Sequence, residues 1–151
     1  MKVVLQRVKN AYVEVDDTKI SEIDHGLLLL WGVEQGDSDA DSEVLVNKIL
    51  NFRIFSDENL KMNNSIIDID GEILLVSQFT LAGNFLKGNR PSFVNAKDPK
   101  VAEEMLEKVY QKLSEKVTTK LGSFGSMMQV GLINDGPSTF VLSSKDGKIN
   151  S

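Results

Sequence analysis

The chain contains no cysteine, which excludes disulfides, thiolate metal sites and a cysteine nucleophile. It has one histidine, His25, so multi-histidine metal centres are excluded and a Ser-His-Asp or Cys-His unit has little to draw on. His25 sits in IDHGLL, before a glycine that opens an apolar run; a surface turn residue is expected there. Any enzyme on this chain is therefore expected to work without thiol and without imidazole. Long apolar runs are also missing: the longest, GLLLLWGV at 26–33, is too short to cross a bilayer and suits a buried strand. The opening MKVVLQRV puts charges where a signal peptide would need an apolar core, so a cytoplasmic location is expected. No Walker-type loop and no Gly-x-Gly-x-x-Gly opens a helix, and no cofactor or dedicated metal site is expected. Basic excess is absent as well. With 17 basic and 22 acidic residues the net charge is −5, which argues against broad non-specific nucleic-acid binding. One local exception stands out: Lys87, Arg90, Lys97 and Lys100 share a stretch whose only acid is Asp98. On charge alone, a solvated loop face accounts for it.

What is present suits one domain spanning residues 1–151, with no repeat or linker. Residues 2–8 and 11–15 read as two strands with a turn at Lys9-Asn10, the second alternating Ala11, Val13 and Val15 with polar partners. A short strand near Lys19–Ile23 and the GLLLLWGV strand follow. Ser38 with Asp41 predicts a capped helix start, and Val44 or Leu45, Ile49 and Phe52 continue its apolar stripe. IIDIDGEILLVSQFTL reads as a hairpin turning at Asp70-Gly71, its second arm running from Glu72 to Phe79. Asp98-Pro99 opens the clearest helix, with Val101, Met105, Leu106, Val109 and Leu113 on its buried side. MMQVGLI and STFVL read as two strands around a turn, and the polar tail 143–151 is expected to fray. Paired strands with two main helices indicate an α+β fold around a curved, barrel-like, mainly antiparallel sheet.

Three polar clusters lie at strand ends, where a rigid sheet presents groups to a cleft: VSQFTL at 76–81, KGNRPSF at 87–93 and NDGPST at 134–139. Taken alone, each has an ordinary explanation. Thr80 is a weak nucleophile without a base, and Ser77, Gln78 and Thr80 could simply finish a strand. Arg90 could grip phosphate and Phe93 could stack on a ring, or Arg90 could tie down its own loop. In INDGPST, Pro137 has no N–H for a central ladder, so its place between two strands needs another reason.

Together, the clusters resemble the D-aminoacyl-tRNA deacylase family over nearly the whole chain, from MKVVLQRV to TFVL. VSQFTL is similar to its Ser-Gln-Phe-Thr motif, as Ser77, Gln78, Phe79 and Thr80. NDGPST is similar to its Asn-x-Gly-Pro-x-Thr motif, as Asn134, Gly136, Pro137 and Thr139. Position 138 is Ser where an apolar residue is expected. The resemblance implies a homodimer that hydrolyses the ester of D-aminoacyl-tRNA and of mischarged glycyl-tRNA. It implies a cis Gly136-Pro137 bond whose loop enters the partner's pocket, where the two carbonyls hold the substrate amino group and exclude L side chains. Arg7 would brace that loop. Main-chain N–H groups near Phe79 and Thr80, with the tRNA 2′-hydroxyl, would supply catalysis. Lys87 and Arg90 would meet the acceptor end of aminoacyl-tRNA, and neither membrane nor DNA contact is implied. The alternative is a non-catalytic, nucleic-acid-associated dimer on the same fold; the short tail after Leu142, without a basic extension, disfavours it. A hydrolase of a small free ester or amide is the weaker third reading.

Overall fold

The computed structural model describes residues 1–151. One main sheet runs in the order β7-β6-β3-β1-β8-β9, with β2 pairing β1 beside β3. Its strands are β1 (Lys2–Val15), β2 (Thr18–Ile23), β3 (Gly26–Gly32), β6 (Glu72–Ser77), β7 (Thr118–Leu121), β8 (Gln129–Lys145) and β9 (Lys148–Ile149). A small hairpin of β4 (Phe55–Ser56) and β5 (Met62–Asn64) lies apart. The helices are α1 (Asp39–Leu50) and α2 (Pro99–Ser114).

The sheet is mixed rather than mainly antiparallel. β1 pairs antiparallel with β2, β3 and β8, but β3–β6 and β6–β7 are parallel. Parallel neighbours need a long crossover, and α1 and α2 lie in those two connections. The predicted hairpin at 66–79 therefore does not form. Ile66 is fully buried in a turn, and the arm that pairs β5 is β4. β7 carries no sequence signal strong enough to predict it.

β3 and β6 are buried on both faces, which explains their unbroken apolar runs. Leu27, Leu29, Ile73 and Leu75 join the larger core, which includes Leu45 and Ile49 of α1 and Met105, Leu106, Val109 and Leu113 of α2. Leu28, Leu74 and Val76 meet Val8, Ala11, Val13 and Ile23 on the opposite face. The sheet curls to cover that face, bringing β2 against β6 and β7. β1 passes from one core to the other: Val3 and Leu5 belong to the first, Ala11 and Val13 to the second. That handover is why a continuous strand reads as two around Lys9-Asn10.

Both helix starts match expectation. Asp41 Oδ2 accepts from the Ser38 N–H at 2.9 Å, and Asp98 Oδ1 accepts from the N–H groups of Lys100 and Val101. Val101, assigned to the buried stripe, is instead 39% exposed. The tail expected to fray closes as the β8–β9 hairpin. Its Gly147 N–H donates to Asp41 Oδ1 at 2.9 Å and its Ser144 hydroxyl to Asp41 O at 3.0 Å.

Candidate active site

The sequence clusters form two separate constructions. The first is a cleft of about 580 Å³ at the carboxyl ends of β3 and β6, the usual place for a ligand beside parallel strands. β3 delivers Trp31, with Val33 just beyond. β6 delivers Ser77, followed by Gln78 and Phe79, and the first turns of α2 close one side with Pro99 and Ala102. Phe93 meets Phe79 edge-on at 5.0 Å between ring centres, and Phe124 lines the cleft from the segment after β7. The walls are aromatic and aliphatic, with polar groups gathered around Ser77, Gln78 and Lys97.

β6 ends at Ser77, two residues earlier than expected, and Phe79–Ala82 form a 3-10 turn. The strand expected to run on to Phe79 is therefore broken by the turn. Ser77 and Gln78 are half-buried; Phe79 and Thr80 are exposed. Gln78 N–H donates to Trp31 O at 2.8 Å, fixing the turn to the end of β3. The Gln78 side-chain amide donates to Thr80 Oγ1, and Thr80 itself does not line the cleft. Phe79 and Thr80 open the turn, so their N–H groups have no acceptor inside it. Behind the turn, Lys2 Nζ donates to Leu81 O at 3.3 Å and to Glu34 Oε1 at 2.9 Å. Burial alone would raise the Glu34 carboxyl; the Lys2 hydrogen bond and the positive charges of Met1 and Lys2 outweigh it and hold the group low.

The second construction is a bulge within β8, not a turn between two strands. Gln6 pairs with Thr139 and Val8 with Asn134, so residues 135–138 all lie opposite Arg7. The ladder opens here, so Pro137 sits where no pairing is called for from its missing N–H. The Gly136-Pro137 bond is cis, as expected, and Gly136 adopts φ +145°. A Cβ on Gly136 would stand 2.8 Å from Ser138 Oγ, so glycine is required both for conformation and for space. Arg7 is buried and anchors the bulge, donating from Nε to Asp135 O at 2.8 Å and from Nη1 to Ile54 O at 2.6 Å. Asn134 staples the bulge from within: Ser138 N–H donates to its Oδ1 at 2.7 Å, and its Nδ2 donates to Ser138 O and Thr139 Oγ1. Ser138, the departure from the expected apolar residue, is buried. His25 stands at the connection between β2 and β3, half-exposed, with Nε2 3.6 Å from Asp135 Oδ2.

Within this one chain, no residue of 134–139 lines the cleft, and Gly136 and Pro137 face solvent. Lys87 and Arg90 are exposed on the long connection beside the cleft. Sequence reading missed Trp31, Val33, Ala102 and Phe124. The parallel pairing of β3 with β6 and of β6 with β7, with α2 in the crossover, brings them to one end of the sheet, and the residue pattern did not announce that pairing. No group of three or more acidic, histidine or cysteine side chains is placed to hold a metal ion, and no helix is long and apolar enough to cross a membrane.

Known proteins share this architecture. The family model for D-Tyr-tRNA(Tyr) deacylase matches residues 4–143. The D-aminoacyl-tRNA deacylase of Persephonella marina is 50% identical over 145 residues, covering 96% of this chain and 99% of the relative. That of Aquifex aeolicus is 49% identical over 147 residues, covering 97% and 99%. The solved structure of a c-Myc DNA Unwinding Element Binding Protein superposes with a TM-score of 0.91 at 42% identity, covering 96% of this chain and 99% of that one. A matching sequence over almost the full length, on the same fold, places this chain in the D-Tyr-tRNA(Tyr) deacylase family.

Proposed function

We propose that the protein hydrolyses the ester of D-aminoacyl-tRNA, releasing free tRNA and a D-amino acid, as a cytoplasmic homodimer whose active site forms between two copies. One observation carries the reading: in a single copy the aromatic cleft and the braced Gly136-Pro137 bulge are both finished constructions, yet they do not meet. A second copy supplies each cleft with the missing bulge. The long outer edge of β8 offers exposed Ile133 and Val141 for such an association.

In this arrangement the cleft seats the terminal adenosine among Trp31, Phe79, Phe93 and Phe124, with Lys87 and Arg90 towards the acceptor end. The partner's Gly136 and Pro137 carbonyls accept hydrogen bonds from the substrate amino group and leave no room for an L side chain. Glycine carries no side chain to clash, so glycyl-tRNA passes the same gate. Water attacks the ester carbon; the bond from that carbon to the ribose oxygen breaks, and the ribose oxygen takes the proton. The N–H groups of Phe79 and Thr80 stabilise the oxyanion, a contribution of roughly 10²–10³ in rate per donor at comparable sites. The neighbouring 2′-hydroxyl assists proton transfer, so no histidine is needed. Release of tyrosine from D-Tyr-tRNA, with L-Tyr-tRNA spared, tests the proposal; equal cleavage of both, or of neither, refutes it.

Likeness to a c-Myc DNA Unwinding Element Binding Protein favours one alternative, a non-catalytic nucleic-acid-binding dimer. Stoichiometric duplex binding without any deacylation would support that reading instead.

A further inference from the structure

The connection between the 3-10 turn and α2 carries an exposed apolar tip that the deacylase chemistry does not use. Phe85 is 68% and Leu86 90% exposed. This tip is held in place. Asn84 and Ser92 exchange backbone hydrogen bonds at 2.8 and 3.0 Å, closing a small hairpin, and Asn84 Oδ1 accepts from the Leu86 N–H at 2.9 Å. The Phe85 ring leans on the backbone of Gly83, where a Cβ would stand 2.7 Å from Phe85 Cζ. One side of the ring is therefore supported and most of it is left to solvent. Lys87 and Arg90 are exposed on the same tip, two and five residues after Phe85, and Lys100 is exposed at the start of α2. In a chain of net charge −5, residues 83–100 carry four basic side chains against one acid, Asp98, and Phe93, next to the hairpin's Ser92, lines the cleft with Phe79.

A supported, exposed aromatic ring on a tip that also carries two cations, next to a cleft, fits single-stranded nucleic acid: bases stack on the ring while cations meet the phosphates. We infer that the Phe85–Arg90 tip is a stacking platform for the unpaired nucleotides that precede the terminal adenosine of the substrate, a conclusion that rests on the deacylase reading. Phe85 is a binding residue for the polynucleotide and plays no part in the chemistry. Lys87 and Arg90 hold phosphates of the same short strand.

The test compares D-tyrosyl-tRNA with D-tyrosyl-adenosine, which has the same ester but no preceding nucleotides. Phe85→Ala is expected to raise KM for the tRNA about fivefold or more, the range of one lost base stack, with kcat unchanged. On the adenosine ester it changes KM less than about twofold, and Phe85→Tyr restores the wild-type KM on tRNA. Lys87→Ala and Arg90→Ala each flatten the salt dependence of log KM on tRNA by about 0.7 per lost phosphate contact. Equal effects of Phe85→Ala on both substrates, or none on either, overturn the platform while leaving the deacylase reading intact. A shift of Phe85→Ala from dimer to monomer in sedimentation also overturns it, since a second copy would then cover the tip. Wild-type protein that cleaves neither substrate overturns the deacylase reading itself, and the platform with it.

Discussion

The bulge at 134–139 and the turn at 77–82 differ in how much of their structure is self-supplied. The bulge is tied from three sides: Arg7 holds Asp135 O, Asn134 holds both ends of Ser138, and Gln6 reaches Thr139. It does not reach the cleft of its own chain. The turn is anchored from behind, at Trp31 O and through Lys2, while its forward side leaves Phe79 and Thr80 exposed. In the proposed dimer, one region is inserted and the other receives it. The proposed gate gains from being fixed before the substrate arrives, because a mobile one would give way to an L side chain.

Removing the brace should break this contrast most severely. Arg7→Ala leaves the carbonyls of Asp135 and Ile54 without their charged donor, and is expected to cost about 3 kcal/mol, the scale of charge-assisted hydrogen bonds in a buried setting. Chemical denaturation measures that loss. Cleavage of L-Tyr-tRNA by the surviving folded protein should rise relative to D-Tyr-tRNA. A smaller effect is expected on the receiving side. The Thr80 hydroxyl is bonded to the Gln78 amide and lies outside the cleft lining, so Thr80→Ala should lower kcat by no more than about tenfold, as for a lost neutral hydrogen bond. A far larger fall would make the hydroxyl, rather than the main chain, the catalytic group.

The smallest effect concerns acid. The Glu34 carboxyl behind the turn is held below its ordinary value of 4.5. At Asp41, burial would raise the carboxyl, but hydrogen bonds from Gly147 and Ser38 outweigh it and hold it below 3.8. Both folded-state values are depressed, so both groups stabilise the fold above those ordinary values and lose that contribution as pH falls through the lower, folded ones. Stability should therefore be insensitive to either group from about pH 5 to 8 and decline only in stronger acid. Denaturant midpoints across that range check it.

The two regions were also unequally legible in the sequence. The α2 cap at Asp98-Pro99 and the buried GLLLLW strand could be read directly, because capping and apolar runs are local properties. β1 and β8 were each read as two strands. In β1 the buried residues change core around Val8; in β8 the Gly136-Pro137 interruption is a bulge that the strand absorbs. The motif residues of both regions were recognisable as letters, but the cleft was not, because Trp31 and Phe124 meet only through parallel pairing of distant segments. Ile66-Ile67 before Asp70-Gly71 imitates a hairpin arm, and only the competing crossover through α1 explains why it is a turn.

The central claim is that the two halves of the site come from two copies, and mixed dimers test it most directly. One variant has its cleft filled by Ala102→Trp and keeps an intact bulge. The other keeps its cleft and has the bulge distorted by Gly136→Val, a residue unsuited to φ +145°. Each alone should fail to deacylate D-Tyr-tRNA. Unfolded and refolded together, they should recover activity, because one site in each mixed dimer unites an intact cleft with an intact bulge. If the mixture forms dimers and stays as inactive as its parts, cleft and bulge act within one copy, and a site shared between two copies is contradicted.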